Sequence, residues 1–246
     1  MKNTFGAAVS VTLFGESHGS EIGAVLDGLA PGIPVDEDFI RHRLSLRRPH
    51  GTISTSRVEA DEFRIVSGVF EGHTTGTPLC IIIPNTNTRS GDYVKGFPRP
   101  GHADYTAECK YHGYQDYRGG GHFSGRLTAP LVFAGGIARQ ILARKGIHIC
   151  AHIQQVGTLA ERRFSLGELD ENLAERLNHS FFPVLDEEIG TAMQSQIARL
   201  RSEGDSVGGI VECAVLGMPG GYGDPMFDSV ESQLASLLFS IPAVKG

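Results

Sequence analysis

The alternation of apolar and polar residues divides this chain into short strands and a few helices, separated by glycine-rich turns. A strand is predicted where apolar residues alternate with polar ones, or follow one another in a short run between turn signals. Such runs predict strands at Thr4–Leu13, Ile22–Asp27, Glu62–Phe70, Pro78–Ile83, Ile147–Val156 and Ile210–Leu216. Pro78–Ile83 is almost entirely apolar, which favours a strand buried on both faces.

Helical spacing of apolar residues predicts helices at Glu37–Leu46, Leu127–Lys145, Leu185–Glu203 and Asp228–Leu238. Asp36 is the expected N-cap of the first of these helices. Residues 84–95 and 164–181 show no periodicity, so we expect a mobile loop and a peripheral segment there. The runs Ile22–Pro49 and Ile210–Pro242 share the order strand, Gly/Pro connector, helix and proline, which indicates an internal β–turn–α repeat.

Composition is that of a soluble globular protein, with 40% hydrophobic and 20% charged residues in 246. That length suits one large domain or two of ordinary size. The net charge of −6 provides no overall attraction to nucleic acid or to anionic lipid. An anion site would therefore have to be built locally from clustered arginines.

The four cysteines are far apart and form no CxxC pair, and we expect Cys80 and Cys213 to be small buried residues. No signal peptide and no apolar run of spanning length is evident, so the chain is expected to be reduced and cytoplasmic. The ten histidines lack HExxH or Cys/His ligand spacing, which argues against a metal site and against a metal hydrolase.

The segment Phe97–Thr128 concentrates the polar chemistry of the chain. It contains His102, His112 and His122, together with the glycine triplet Gly119–Gly121 that runs into the predicted helix at Leu127. Adjacent glycines allow positive φ or a close approach of the backbone, and a loop before a helix N-terminus can present N–H donors to an anion. The alternative is a glycine-rich surface loop without a ligand.

A second candidate site is the segment Phe14-Gly15-Glu16-Ser17-His18-Gly19, where two glycines bracket a Glu-Ser-His triplet at a strand end. A histidine in that position can transfer protons near neutral pH. Capping of a turn by the Ser and Glu side chains would explain the same triplet without catalysis.

A third candidate is the basic cluster after the first helix, formed by Arg47 and Arg48, with His50 and Arg57 following. Basic residues at a helix C-terminus interact favourably with the macrodipole and need no ligand. However, Arg47 and Arg48 continue into a hydroxyl-rich loop, and arginine suits bidentate binding of phosphate or carboxylate. We therefore favour an anion site.

The chain resembles the chorismate synthase family through six segments that occur in the family's order and close to its spacing. They are Phe14–Gly19, Arg47-Arg48-Pro49, Arg99–Thr106, Asp116–Gly121, Gly204-Asp205-Ser206 and Ile241–Gly246. This resemblance covers essentially the whole chain and implies one α+β domain over residues 1–246. The implied fold is a β-α-β sandwich, in which helices pack between antiparallel sheets.

The resemblance implies a carbon–oxygen lyase of aromatic amino acid biosynthesis. The family eliminates phosphate (1,4-anti) from 5-enolpyruvylshikimate 3-phosphate to give chorismate, and needs reduced FMN although the reaction has no net redox change. Members are typically homotetramers. In bifunctional members NADPH is also bound.

Position by position, the resemblance assigns proton handling to His18 and His102 and an assisting role to Ser17. The substrate's phosphate and carboxylates would be bound by Arg47, Arg48 and Arg126, and Arg47 also matches a position linked to NADPH. FMN would contact the run His122-Phe123-Ser124.

Members of the family continue well past the segment that matches Ile241–Gly246. The resemblance therefore predicts an N-terminal fragment that lacks its C-terminal part. Two functions stay open: catalysis of the family reaction, or a non-catalytic fragment that binds flavin or anions and oligomerises.

Overall fold

The computed structural model describes residues 2–54 and 59–246. The strands are β1 (Thr4–Gly6), β2 (Ser10–Gly15), β3 (Glu21–Asp27), β4 (Arg64–Ser67), β5 (Val69–Phe70), β6 (His73–Thr74), β7 (Leu79–Pro84), β8 (His148–Val156), β9 (Leu159–Ala160) and β10 (Gly209–Leu216). The helices are α1 (Glu37–Arg47), α2 (Asp104–Tyr111), α3 (Thr128–Ala143), α4 (Glu171–His179), α5 (Glu187–Ser202) and α6 (Val230–Leu238). Every strand pairing is antiparallel, which confirms the predicted α+β class with antiparallel sheets.

Two compact units divide the described chain. The first contains residues 2–44, 59–137 and 219–246, and the second contains residues 45–54 and 138–218. The assignment of the whole chain to a single domain stays a prediction.

The first unit is built on a five-stranded sheet in the order β1-β2-β3-β7-β4. The two inner strands β3 and β7 pair so that Ile22 faces Ile83 and Ala24 faces Ile81, and all four side chains are fully buried. Every second residue of a strand points to the same face, so this register gathers the apolar side chains on one side of the sheet. That side forms the core.

Helices α1 and α3 contribute to the same core. Ile40 and Leu44 of α1 are fully buried, and Asp36 caps the helix by accepting a hydrogen bond from the Phe39 N–H at 2.9 Å. A Cβ added to Gly136 of α3 would lie 3.2 Å from the Ile40 side chain, so the glycine allows the two helices to pack closely. Phe133, also on α3, is fully buried and meets the Phe63 ring edge to face.

The second unit is built on the sheet β10-β8-β9, with α4 and α5 packed against it. Ala174 and Leu177 of α4 cover Cys150 of β8, and Met193 of α5 packs with Val156. In this unit the fully buried imidazole of His152 lies between two carboxylates. Its Nδ1 contacts Glu161, and its Nε2 is 2.8 Å from Glu212.

Several predicted elements differ from those observed. The predicted strand Thr4–Leu13 is a hairpin of β1 and β2, because Gly6 adopts a φ of +95° and the chain reverses there. The segment 164–181 is not merely peripheral, because it contains α4. Helix α2 was not predicted, since its few apolar residues leave only Ala107 buried.

Three burial predictions were also wrong. Strand β7 alternates between buried and half-buried residues because one face of the sheet is covered more fully than the other. Cys213 is exposed because it lies on the outer strand β10. Cys80 of β7 is half-buried because it lies on the less covered face of the sheet. The mobility of the segment 84–95 stays a prediction; Glu59 accepts hydrogen bonds from Thr86 and Asn87 of this segment.

The predicted repeat has the expected element order, since β3 is followed by α1 and β10 by α6. Its origin by duplication stays a prediction. Within residues 2–54 and 59–246, no helix is long and apolar enough to cross a membrane.

Candidate functional site

The Ser17–His18 turn follows directly from β2 and is buried. Gly15, with a φ of +94°, ends the strand, and the Gly19 N–H closes the turn by donating to the Glu16 carbonyl at 3.0 Å. Ser17 is fully buried and His18 is 7% exposed. Ser17 and His18 are therefore packed inside the first unit, whereas Glu16 of the same triplet is exposed.

The imidazole of His18 is contacted by residues of the segment after β7. Its Nδ1 is 3.0 Å from the hydroxyl oxygen of Ser90, and its ring meets the Tyr93 ring edge to face with centroids 5.1 Å apart. A serine hydroxyl can either donate to or accept from an imidazole nitrogen. The contact therefore fixes the direction of the ring and is compatible with either tautomer.

The glycine triplet covers this turn. Gly119, Gly120 and Gly121 have φ values of +60°, +80° and +53°. A Cβ on Gly119 would lie 2.3 Å from Cδ2 of His18 and 3.0 Å from Oγ of Ser17. Gly121 accepts a hydrogen bond from the Ser17 N–H at 3.1 Å. Close packing over the Ser17–His18 turn therefore explains the glycines, and anion binding by the loop stays a prediction.

A chain of contacts joins His18 to His102. The guanidinium of Arg99 lies 5.0 Å from the centroid of the Tyr93 ring, which itself packs against His18. The same guanidinium binds both oxygens of Asp104, at 2.8 and 3.0 Å. Hydrogen bonds from Arg99 lower the pKa of Asp104 against an opposing effect of burial, and the charge of His102 lowers it further. The backbone N–H of His102 donates to the Arg99 carbonyl at 3.4 Å, so Arg99 and Tyr93 link the His102 backbone to the His18 ring.

His102, His122, Phe123 and Ser124 line one cavity of about 1030 Å³. His102 is exposed there, whereas Phe123 is 40% exposed and offers a flat aromatic surface. Further lining comes from residues 239–245 and from β1 and β2. A smaller cavity of about 430 Å³ shares His122 and Phe123 and reaches Glu16.

Hydrogen bonds determine which nitrogens of two cavity histidines carry a proton. The Nδ1 of His102 is 3.0 Å from the Pro100 carbonyl, and the Nδ1 of His122 is 2.8 Å from the Gly15 carbonyl. A carbonyl oxygen only accepts, so Nδ1 is the donor in both rings. The second nitrogen, Nε2, is therefore the one available for proton exchange.

Arg126 is directed to the interior. Its side chain is 4% exposed and forms an ion pair with Asp61, whose side chain is fully buried. Its Nε donates to the Asn85 side chain at 2.9 Å, and its Nη2 donates to the Pro84 carbonyl at 3.1 Å. With these contacts Arg126 joins Asp61, Pro84 and Asn85 inside the first unit. Binding of substrate by Arg126 stays a prediction.

Arg47 and Arg48 belong to the second unit, at the end of α1. Their predicted role in binding anions therefore stays a prediction, and Arg57 of the same basic cluster lies outside the described residues. Among the described residues, no group of three or more His, Cys, Asp or Glu side chains is arranged to hold a metal ion.

The sequence reasoning missed Asp61, Asn85, Ser90 and Tyr93. Their contacts join residues 41 to 75 positions apart, and no local spacing shows such pairs. One signal was present: polar side chains that follow directly on an apolar strand end are well placed to take part in a site. That rule identified Ser17 and His18 after β2 and applies equally to Asn85 after β7.

Comparison with known proteins gives a consistent result. The family model described as chorismate synthase matches residues 9–246. The chorismate synthase of Pyrococcus abyssi is 46% identical over 243 residues, and that of Thermococcus kodakarensis is 45% identical over 243 residues. Each alignment covers 98% of this chain and 66% of the relative. The chain thus spans slightly less than two thirds of the length of these curated relatives.

A crystal structure of chorismate synthase matches the fold with a TM-score of 0.74 at 25% sequence identity. The match covers 97% of this chain and 68% of that chain, so the same arrangement of elements extends over nearly all of the described residues. With the family model, the relatives and the fold in agreement, the chain belongs to the chorismate synthase family.

Proposed function

We propose that this chain serves the chorismate synthase reaction, which converts 5-enolpyruvylshikimate 3-phosphate to chorismate with loss of phosphate and of a proton. The observation that carries this proposal is the cavity lined by His102, His122, Phe123 and Ser124. The backbone of His102 is linked through Arg99 and Tyr93 to the buried Ser17–His18 turn. Family membership supplies the substrate.

The cofactor of this reaction is reduced FMN, and the cavity suits it. Small-molecule sites commonly occupy about 300–1,000 Å³, so about 1030 Å³ leaves room for a flavin together with a small substrate. Phe123 would pack against the flavin ring, and His122 and Ser124 would supply polar contacts. When bound, the reduced flavin supplies the electron-rich ring that assists the departure of phosphate.

The protein's own groups would handle protons and position the substrate. His102 and His122 present Nε2 for proton exchange, because Nδ1 of each ring donates to a backbone carbonyl. His18 and Ser17 act in the same relay from beneath the glycine loop. Preorganised cations stabilise a departing phosphate, and the family resemblance assigns that role to Arg47, Arg48 and Arg126.

Anaerobic assay with reduced FMN tests the proposal, by measuring chorismate formation and phosphate release together. Replacing His102→Gln should lower the rate by roughly 10²- to 10⁴-fold, the usual contribution of a general acid or base. His179→Gln is the matched control, since this exposed histidine donates from Nδ1 to a backbone carbonyl within α4. A chain that folds but releases no phosphate would contradict catalysis.

Flavin binding separates catalysis from the non-catalytic alternative. Quenching of FMN fluorescence without turnover would favour a fragment that only binds flavin and anions. The bifunctional role that the family resemblance suggests for Arg47 would be supported by oxidation of NADPH in the presence of FMN, provided that Arg47→Ala lowers the rate of that oxidation. No NADPH oxidation would rule that role out.

The same proposal includes a homotetramer located in the cytoplasm. Exposed apolar side chains on the outer strand β10, including Val211 at 68%, support assembly because large exposed apolar surface commonly marks an interface. Sedimentation equilibrium should give four times the 26.4 kDa mass of the chain. A monomer at micromolar concentration would contradict the assembly.

A further inference from the structure

The side chain of Asn85 spans the turn that carries Ser17 and His18. Its Nδ2 donates to the Glu16 carbonyl at 3.0 Å and to the Gly19 carbonyl at 2.9 Å. These two carbonyls lie on either side of Ser17 and His18 in the sequence. One amide group therefore holds both ends of the turn.

The orientation of this amide follows from its partner. Arg126 Nε carries a hydrogen and only donates, so the group it meets at 2.9 Å is the side-chain oxygen of Asn85. The amide nitrogen then faces the two carbonyls of the turn, and both of its hydrogens are used. The backbone N–H of Asn85 adds a further bond to the Ser20 carbonyl at 3.0 Å.

Arg126 contacts Asn85 through the amide oxygen, the atom that does not face the turn. Its ion pair with the buried Asp61 and its hydrogen bond to the Pro84 carbonyl fix the guanidinium on two other sides. Buried charge pairs of this kind are costly to break, since removal of one partner leaves the other uncompensated. The side chain of Asn85 is therefore held by a guanidinium that is itself fixed by a buried ion pair and a backbone hydrogen bond.

The same segment also reaches the imidazole. Ser90, five residues after Asn85, contacts Nδ1 of His18 at 3.0 Å. Asn85 thus acts on the backbone of the turn, while Ser90 acts on the ring that the turn carries.

We propose that Asn85 and Ser90 are positioning residues of the Ser17–His18 turn, with Asn85 fixing its backbone and Ser90 fixing the direction of the imidazole. The inference rests on the proposed function only in giving His18 a part in proton handling. An asparagine is required at position 85, because the site needs two donors facing the turn and one acceptor facing Arg126.

The test uses three variants of the full chain labelled with ¹⁵N-histidine. Asn85→Asp keeps the size of the side chain and the acceptor for Arg126, but replaces the two donors by an oxygen that faces two carbonyls. Ser90→Ala removes only the hydroxyl. Asn178→Ala is the control, since this asparagine of the second unit likewise donates to a carbonyl, that of Ile149 at 2.9 Å.

The expected result is a changed pair of His18 ring-nitrogen resonances in Asn85→Asp and in Ser90→Ala, with unchanged His18 resonances in Asn178→Ala. In the flavin assay, kcat should fall on the order of 10²-fold in Asn85→Asp with KM nearly unchanged, because small misplacements of a reacting group have effects of that size. A purely structural role would lower thermal stability without altering the His18 resonances.

His18 resonances identical to those of the unmodified chain in both variants would overturn the proposal. Should Asn85→Asp fail to fold, Ser90→Ala decides alone through the same resonances. NMR does not require turnover, so the two proposals can fail separately. If the unmodified chain is inactive in the flavin assay but both substitutions alter the His18 resonances, the proposed function is refuted and this inference is supported. If the unmodified chain is active but neither substitution alters the His18 resonances, the reverse holds.

Discussion

At the scale of single residues, we expect the stability of the second unit to depend on His152. Both nitrogens of this fully buried ring meet carboxylates, since Nδ1 contacts Glu161 and Nε2 lies 2.8 Å from Glu212. The ring therefore bridges the carboxylates of Glu161 and Glu212. Glu161 also accepts backbone hydrogen bonds from Leu185 and Asp186, which joins the sheet to the start of α5.

Replacing His152→Ala should therefore destabilise the fold by about 3–5 kcal/mol, because it leaves the fully buried carboxylate of Glu161 without the ring that contacts it. Urea unfolding followed by circular dichroism measures this loss. His179→Ala serves as the control, since an exposed histidine on α4 should change the free energy of unfolding by less than about 0.5 kcal/mol. Equal effects of the two substitutions would contradict the buried ion cluster.

At the scale of elements, adjacent glycines in α3 have opposite surroundings. A Cβ on Gly135 would meet no atom within 4 Å, whereas one on Gly136 would lie 3.2 Å from Ile40 of α1. A glycine inside a helix costs conformational entropy relative to alanine. Replacing either glycine by alanine would remove this entropic cost. At Gly136 the close approach of α1 opposes the resulting gain in stability, whereas at Gly135 no atom within 4 Å opposes it.

We expect Gly135→Ala to stabilise the protein by about 0.5–1 kcal/mol through the higher helix propensity of alanine. Gly136→Ala, one residue away, should gain less or lose stability, because Ile40 has to shift. Thermal unfolding of both variants gives the comparison. A larger gain at position 136 than at position 135 would show that α1 and α3 do not pack as described.

Local patterns predicted β3, β8, α1 and α5 nearly to the residue, because each has a regular apolar period and a polar or glycine boundary. They failed at β1 and β2, where Gly6 reverses the chain inside an apparently continuous pattern. In the candidate site, residue chemistry and the family resemblance named Ser17, His18 and His102. Asn85 and Asp61 could not be found that way, since their roles arise only from side chains distant in sequence.

At the scale of the molecule, the response to acid should follow from paired carboxylates. Hydrogen bonds from Arg118 lower the pKa of Asp116 against the effect of burial, as those from Arg99 do for Asp104. A carboxyl whose pKa is lower in the folded than in the unfolded state stabilises the fold above its unfolded pKa. The stabilisation is lost as the pH falls through the lowered, folded-state pKa.

The stability of the chain should therefore decline steeply below the ordinary aspartate pKa of 3.8. Asp104→Asn should lower stability at neutral pH and flatten this decline, because the variant has no proton to take up at that position. Urea unfolding at a series of pH values from neutral to acid measures both effects. The control is Glu203→Gln, which removes an exposed pair with Arg199 on α5 and should change little. An unchanged slope in Asp104→Asn would contradict the pKa shift.

The space beside Gly119 has a genetic consequence. Any mutation of that codon that changes the amino acid introduces at least a Cβ, which would lie 2.3 Å from the imidazole of His18 and on a backbone with positive φ. At Gly125, a few residues further on, a Cβ would meet nothing within 4 Å. Selection that retains the buried histidine must therefore reject every amino-acid replacement at codon 119, and the constraint falls on a residue that contributes no side chain to the reaction.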